Sequence, residues 1–229
     1  MNGVSISDAM ASPALFGPSF MGESWNVWRV VLKAAFGEPL DGGELEIFKT
    51  VAGDRAPPSG QVAEFDCIVG RGGGKDSVAA FIAAWKAATF DPRGKLRPGE
   101  RASVVVIAVN RHQSAIAFDY IRGYFEAIPA LAAMVVSRTD ESVELNNGVI
   151  VEVHTNSFRG VRGRSIICAI FDEVCFWRSE ESANPDEAVH GAVSPGLGRM
   201  PGSMLIMISS AHTRSGLLYE AWRDGFGRD

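Results

Sequence analysis

Val69-Gly70-Arg71-Gly72-Gly73-Gly74-Lys75-Asp76-Ser77 is the stretch on which the reading of this chain turns. A short apolar run at residues 64–70 leads into it. Residues 76–88 follow it, with Val78, Phe81, Ile82 and Trp85 recurring at helical spacing. A strand therefore enters a glycine cluster and a helix leaves it. Glycines let successive backbone N–H groups curl around phosphate oxygens with no Cβ in the way. The helix N-terminus adds a partial positive charge, and Lys75 adds a full one. The competing reading is a plain flexible turn, and the strand and helix on either side weigh against it.

Strand, glycine loop, lysine and helix in that order are the context of a Walker A motif. Gly70, Arg71, Gly72, Gly73, Gly74, Lys75, Asp76 and Ser77 are thus the candidate nucleotide-binding residues. Two positions depart from the consensus. Val69 occupies the place of the first glycine, and Asp76 that of the Ser or Thr that ligates magnesium. Ser77 is no substitute, because one helical step turns a side chain by roughly 100°. A carboxylate at Asp76 is itself a suitable Mg²⁺ ligand. It also brings negative charge close to the phosphates, so strict metal dependence is expected; tight metal-free ATP binding would refute that.

The strand–helix alternation continues beyond the loop. Residues 103–109 are a continuous apolar strand, followed by a helix over about 113–126. Residues 143–145 and 149–154 flank Asn146-Asn147-Gly148, a hairpin signal. Residues 166–171 and 204–208 are two more buried strands, and a helix follows near 217–223. Apolar strands joined by helices specify an α/β fold whose mainly parallel central sheet is covered by helices on both faces. Residues 1–52 form a short helical N-terminal lead-in, with Trp25, Trp28, Val31, Leu32, Ala35 and Phe36 in register until Gly37 and Pro39. A loop at 53–60 containing Pro57-Pro58 opens the core, residues 53–229.

Composition narrows the function classes. The 229 residues carry 22 Lys+Arg against 27 Asp+Glu, a formal net charge of −5, which excludes a generally basic nucleic-acid coat. A local basic site remains compatible with it. Hydrophobic residues at 46% and charged residues at 21% argue against wholesale disorder. No apolar run approaches a membrane span, and residues 1–22 lack the basic start of a secretory signal. Cys67, Cys168 and Cys175 form neither a disulfide framework nor a zinc spacing. A soluble, reduced, intracellular protein is expected.

The second chemical signal is Ile166-Ile167-Cys168-Ala169-Ile170-Phe171-Asp172-Glu173, an apolar strand ending in two acids. Many strands end so at solvent, but this one lies 97 residues after Lys75, with a buried strand–helix unit between. At that position an aspartate holds the Mg²⁺ shell and a following glutamate polarises water. Asp172 and Asp76 are the candidate metal ligands; Glu173, Lys75 and Arg71 are the candidate catalytic groups. The next strand exits through Ser209-Ser210, whose hydroxyls fall at the same sheet edge. Arg159, Arg162 and Arg164 make the one dense basic run, suited to DNA phosphates, to the nucleotide in cis, or to a neighbour's ATP as an arginine finger. Pairing with surface carboxylates is the structural alternative. The four histidines show no metal-ligand spacing, and Tyr120 and Tyr124 are expected to pack.

In order and spacing these motifs resemble the ATPase half of a tailed-phage terminase large subunit, over nearly the whole chain. The resemblance is carried by Asp8-Ala9, Pro13 to Pro18 and Trp28-Arg29 in the lead-in, and by the arginine-containing loop from Gly70 to Lys75. Arg159-Gly160-Val161-Arg162-Gly163 before Phe171-Asp172-Glu173, then Ile208-Ser209-Ser210 and Gly216-Leu217-Leu218-Tyr219-Glu220, extend it. Ala211 stands where a proline is usual.

The resemblance implies a P-loop NTPase of the additional-strand, catalytic-glutamate type, using ATP and Mg²⁺ to move double-stranded DNA into a prohead in the host cytoplasm. It implies Arg71 acting on the γ-phosphate in cis, and Ser209 and Ser210 coupling hydrolysis to movement. Implied partners are the portal protein, the small terminase subunit and further copies in a ring, with a monomer expected in isolation. The family's nuclease domain has no counterpart before Asp229, 20 residues past Ser209, so the polypeptide is expected not to cut DNA and to be an excised domain or a truncated gene product. A helicase-like P-loop ATPase, a small-molecule kinase and a non-hydrolysing nucleotide-binding assembly module are the competing classes.

Overall fold

The structure is a computed structural model that describes residues 3–108, 111–155, 161–177 and 185–228. The lead-in contains α1 (Ile6–Ala11), α2 (Asn26–Ala35) and α3 (Gly42–Ala52). There follow β1 (Glu64–Ile68), α4 (Lys75–Thr89), β2 (Ala102–Ala108), α5 (Arg111–Ala127) and the one-turn α6 (Pro129–Ala132). The remainder is β3 (Val135–Arg138), β4 (Ser142–Leu145), β5 (Val149–Thr155), β6 (Ser165–Asp172), α7 (Pro185–Gly198), β7 (Met204–Ser209) and α8 (Leu217–Gly225).

The described strands form one seven-stranded sheet in the order β1-β7-β6-β2-β5-β4-β3. The pairs β1–β7, β7–β6, β6–β2 and β2–β5 are parallel, and β4 and β3 continue antiparallel at one edge. Side chains alternate between faces with a period of two, which divides the interior into two cores. Val104, Val106, Cys168, Ile170, Ile206 and Ile208 face α4 and α5. Val105, Ile107, Ala169, Phe171, Leu205 and Met207 face α7 and α8. Both faces are covered, and that is why these strands read as unbroken apolar runs.

The lead-in forms a further layer outside α4. Phe16 meets Phe81 and Tyr124 edge-on, with ring centroids 4.6 and 5.0 Å apart, and Phe20 bridges Trp25 and Phe81 at 4.9 and 5.1 Å. Trp85 donates to the Val4 carbonyl at 3.2 Å and meets Phe36 edge-on at 5.1 Å. Helix α4 is thereby enclosed between sheet and lead-in, and 11 of its 15 residues are buried. Small residues (Ala79, Ala80, Ala83, Ala84, Ala87 and Ala88) permit that approach from both sides.

The strands and helices expected from the sequence are present, with ends moved by one or two residues. Three elements escaped it: the one-turn α6, α7 and β3. Helix α7 contains Pro195 and three glycines, which mask its helical signal. A Cβ on Gly196 would lie 2.8 Å from the Arg164 carbonyl oxygen, so glycine is what lets α7 lie against β6. Strand β3 is short and exposed, with Val136 at 65% exposure, and has no apolar alternation to announce it. Tyr124 packs as expected, whereas Tyr120 is 46% exposed and does not. No described helix is long and apolar enough to cross a membrane.

Candidate active site

Parallel register brings three strand ends to one edge of the sheet. Ile68 lies opposite Ser209, and Asp172 opposite Ile208, so β1, β7 and β6 end side by side beneath the glycine loop. Gly72 and Gly74 have φ of +76° and +81°, in the left-handed region where a side chain is strained. Gly73 is confined differently: a Cβ there would lie 2.4 Å from Val69 Cγ1. The Gly73 N–H donates to the Gly70 carbonyl at 3.1 Å, closing a tight turn. At the start of α4 the N–H groups of Lys75, Asp76 and Ser77 have no intrahelical acceptor, as at any helix N-terminus.

Lys75 is the centre of charge. It is 5% exposed, and its Nζ lies 2.9 Å from Glu173 Oε1 and 3.3 Å from Asp76 Oδ1. Burial works against its charge, but the Glu173 and Asp76 carboxylates outweigh burial and raise its pKa above the ordinary lysine value. Asp172, 6% exposed, behaves oppositely. Burial, then the charges of Asp76 and Glu173, push its pKa up to about 7 against the opposing pull of Lys75.

Glu173 is held on both oxygens. Its Oε2 accepts from the Ser210 N–H at 2.9 Å and the Ser209 hydroxyl at 3.1 Å, while Oε1 faces Lys75. Burial lifts its pKa, yet the Ser210 N–H and Lys75 more than compensate, and the net value falls below the ordinary one. Glu173 therefore stays ionised near neutrality. Its backbone, at φ 49° and ψ 44°, is the one positive-φ non-glycine among the described residues. Such a conformation is disfavoured for a side chain with a Cβ and is kept where the surroundings over-determine it. The turn is braced by Trp177, whose indole N–H donates to the Asp172 carbonyl at 2.9 Å.

Ser209 and Ser210 tie the two halves of the site together. The Val69 N–H, at the mouth of the glycine loop, donates to the Ser209 carbonyl at 3.0 Å. The same pair of residues grips Glu173 from the other side.

The residues suit a magnesium ion. Asp172 Oδ1 is buried and, among the described residues, accepts no hydrogen bond, which is costly unless a cation or water meets it. The charge of Asp76 is felt at Asp172, so two carboxylates share one locality. No three His, Cys, Asp or Glu side chains among the described residues form an all-protein metal cage. Mg²⁺ ordinarily takes only one or two carboxylates and completes its shell with phosphate and water.

The arginines divide. Arg71 is exposed on the loop and, among the described residues, has no ion-pair partner. Arg159 lies outside the described residues. Arg162 and Arg164 precede β6, and Arg164, the nearer, is eight residues before Asp172, roughly 26 Å at a strand's rise. That distance removes the in-cis reading for both. Arg164 pairs with the Glu152 carboxylate, as the structural alternative anticipated.

Sequence reasoning missed the tryptophans behind the loop. Trp28 Nε1 donates to the Gly73 carbonyl at 2.8 Å, and a Cβ on Gly74 would lie 2.7 Å from Trp25 Cζ3. Helical spacing marked both residues as packing positions, and nothing in the sequence pointed them at the loop.

No family model matches the sequence. No curated protein matches it either. Solved structures do share the fold. The HK97 bacteriophage large terminase aligns over 91% of this chain with a TM-score of 0.57 and 21% identity. The large terminase ATPase domain of Thermus phage P74-26, solved as an arginine-to-alanine mutant, aligns over 83% with a TM-score of 0.52 and 15% identity. This chain spans 43% of the HK97 chain and 72% of the Thermus phage chain. The chain thus shares the mainly parallel α/β fold seen in those large terminases.

Proposed function

We propose that the chain is the ATPase part of a large terminase, hydrolysing ATP with Mg²⁺ to drive double-stranded DNA into a viral prohead in the host cytoplasm. The observation that carries this reading is the 2.9 Å contact between Lys75 and Glu173 at the glycine loop, with Glu173 held ionised by Ser210. Two adjoining acids at that strand end suit activation of water better than transfer to a bulkier hydroxyl.

Without nucleotide, Lys75 divides its charge between Glu173 and Asp76. A nucleotide's β- and γ-phosphates compete for it, aided by the free N–H groups of α4. As Lys75 turns to phosphate, Glu173 Oε1 is released to accept a proton from water. The water oxygen bonds to the γ-phosphorus as the bond to the bridging oxygen breaks, giving ADP and phosphate. Asp172 and Asp76 would hold Mg²⁺, which when bound neutralises charge on the β- and γ-oxygens. Arg71 would act on the γ-phosphate. Ser209 and Ser210, bonded to both Val69 and Glu173, would pass the change in the site to α8. Residues 1–52 would brace the core, residues 53–229.

Replacing Asp76 by Ser is expected to raise the Mg²⁺ concentration for half-maximal phosphate release by about tenfold, since a hydroxyl contributes no charge to the ion. A gain in turnover at every Mg²⁺ concentration would instead mean that Asp76 obstructs hydrolysis, favouring a nucleotide-binding assembly module.

The packaging role extends to a homo-oligomeric ring on the portal protein, to the small terminase subunit, and to Arg159, Arg162 and Arg164 as candidate contacts in trans or to DNA. Net negative charge accords with a motor that must grip and release. Phosphate release measured with double-stranded DNA and portal is expected to exceed the rate of the protein alone; no stimulation under assembly conditions would sink the packaging role.

A further inference from the structure

We propose that Trp28 is a positioning residue for the phosphate loop, fixing the orientation of the Gly73–Gly74 peptide from behind. The inference rests on the nucleotide reading of that loop and adds a regulatory contact from the lead-in. Trp28 Nε1 donates to the Gly73 carbonyl across 45 residues of sequence, at 2.8 Å, and the residue is only 9% exposed. The described chain contains no cis peptide, so the Gly73 C=O and Gly74 N–H point in opposite directions across one plane. With the carbonyl held on the indole, the Gly74 N–H is turned away from the lead-in, alongside the unpaired N–H groups that open α4.

Two glycines in succession would not hold that orientation alone. Rotation of their shared peptide is cheap, and reversing it would present a carbonyl oxygen where phosphate oxygens are to bind. Trp25 restrains the same peptide sterically, its ring standing where a Gly74 Cβ would be. The indoles are held in turn. Trp25, at the N-cap of α2, meets Phe20 at 4.9 Å, and Phe20 meets Phe81 of α4 at 5.1 Å, which packs the start of α2 against the loop-bearing helix. The lead-in thus acts as the back wall of the phosphate loop. A displacement of α2 would reach the nucleotide through a single hydrogen bond.

The test uses Trp28→Phe, which keeps an aromatic ring and removes the donor, beside Trp25→Phe, which withdraws the ring atoms Cζ3 and Cη2 that stand over Gly74 and leaves the Trp28 donor in place, as the comparison for loss of the steric contact alone. Should Trp28→Phe fold poorly, 3-benzothienylalanine at position 28 replaces the indole N–H by sulfur at nearly constant shape. In nucleotide-free protein, amide hydrogen exchange at Gly73, whose N–H closes the loop turn, is expected to accelerate at least tenfold, with the thermal midpoint within a few degrees of wild type. Affinity for Mg–ATP is expected to fall about tenfold, raising KM more than it lowers kcat. Exchange and affinity both within twofold of wild type would overturn the proposal. Wild-type protein that binds no ATP would overturn the nucleotide reading, while exchange in the loop would still decide whether Trp28 orders it.

Discussion

Replacing Glu173 by Gln is expected to lower steady-state ATP turnover by roughly 10³-fold, within the range that a positioned general base contributes. The substitution is nearly isosteric. A Gln side-chain oxygen can still accept from the Ser210 N–H and the Ser209 hydroxyl, so the turn should keep its shape. What disappears is the charge and the ability to take a proton. ATP affinity is expected to stay level or to tighten, for two reasons of the same sign. The negative charge beside the phosphates is removed, and Lys75 loses the closer of its two carboxylate partners. Phosphate release and a nucleotide titration on the same preparation separate the effects. Turnover within tenfold of wild type would remove Glu173 from the role of base. Turnover and affinity lost together would mean that Glu173 organises the loop and does no chemistry of its own.

The parts of this site that were legible in the sequence are those whose chemistry is local. Glycines followed by Lys75 announce a phosphate cradle because each glycine's freedom and the lysine's charge act within a few residues. Asp172 and Glu173 could be read because an apolar strand ending in acids, after a buried strand–helix unit, has few ways to arrange itself in a parallel sheet. Ser209 and Ser210 followed from the same topology, and the register bears this out. What could not be read depends on contacts between distant segments. Trp28 carries an ordinary helical period, and only the fold brings its N–H to Gly73. Helix α4 shows apolar spacing suggestive of one buried face, whereas the lead-in covers its outer side too. Arg164 sits in a basic run that suggests an external anion, but finds its partner in Glu152 on β5. Helix α7 is stabilised by burial against β6 despite Pro195 and its glycines, so local propensity gave the wrong impression.

Removing the cation at the centre tests the same electrostatics from the opposite direction. Lys75→Ala is expected to weaken ATP binding by roughly 10²–10⁴-fold, the loss of about two charge-assisted hydrogen bonds to phosphate at ~1.5–3 kcal/mol each. It should also change the protein without nucleotide. Lys75 is 5% exposed and stands between Glu173 and Asp76, with Asp172 raised to about 7 even while the lysine opposes that shift. Without it, three carboxylates share a partly buried site with no compensating charge, an arrangement costlier than the loss of one exposed ion pair. The nucleotide-free variant is therefore expected to melt several degrees below wild type at pH 7.5. Millimolar Mg²⁺ should recover more of that loss than it adds to wild type, because a divalent cation can take up the charge that Lys75 supplied. Thermal unfolding with and without Mg²⁺, beside an ATP titration, reads both consequences. ATP affinity within threefold of wild type would mean that the phosphates are held without Lys75. Reduced affinity with an unchanged melting temperature would mean that the carboxylates are screened by water, and that the buried cluster exerts no strain in the absence of nucleotide.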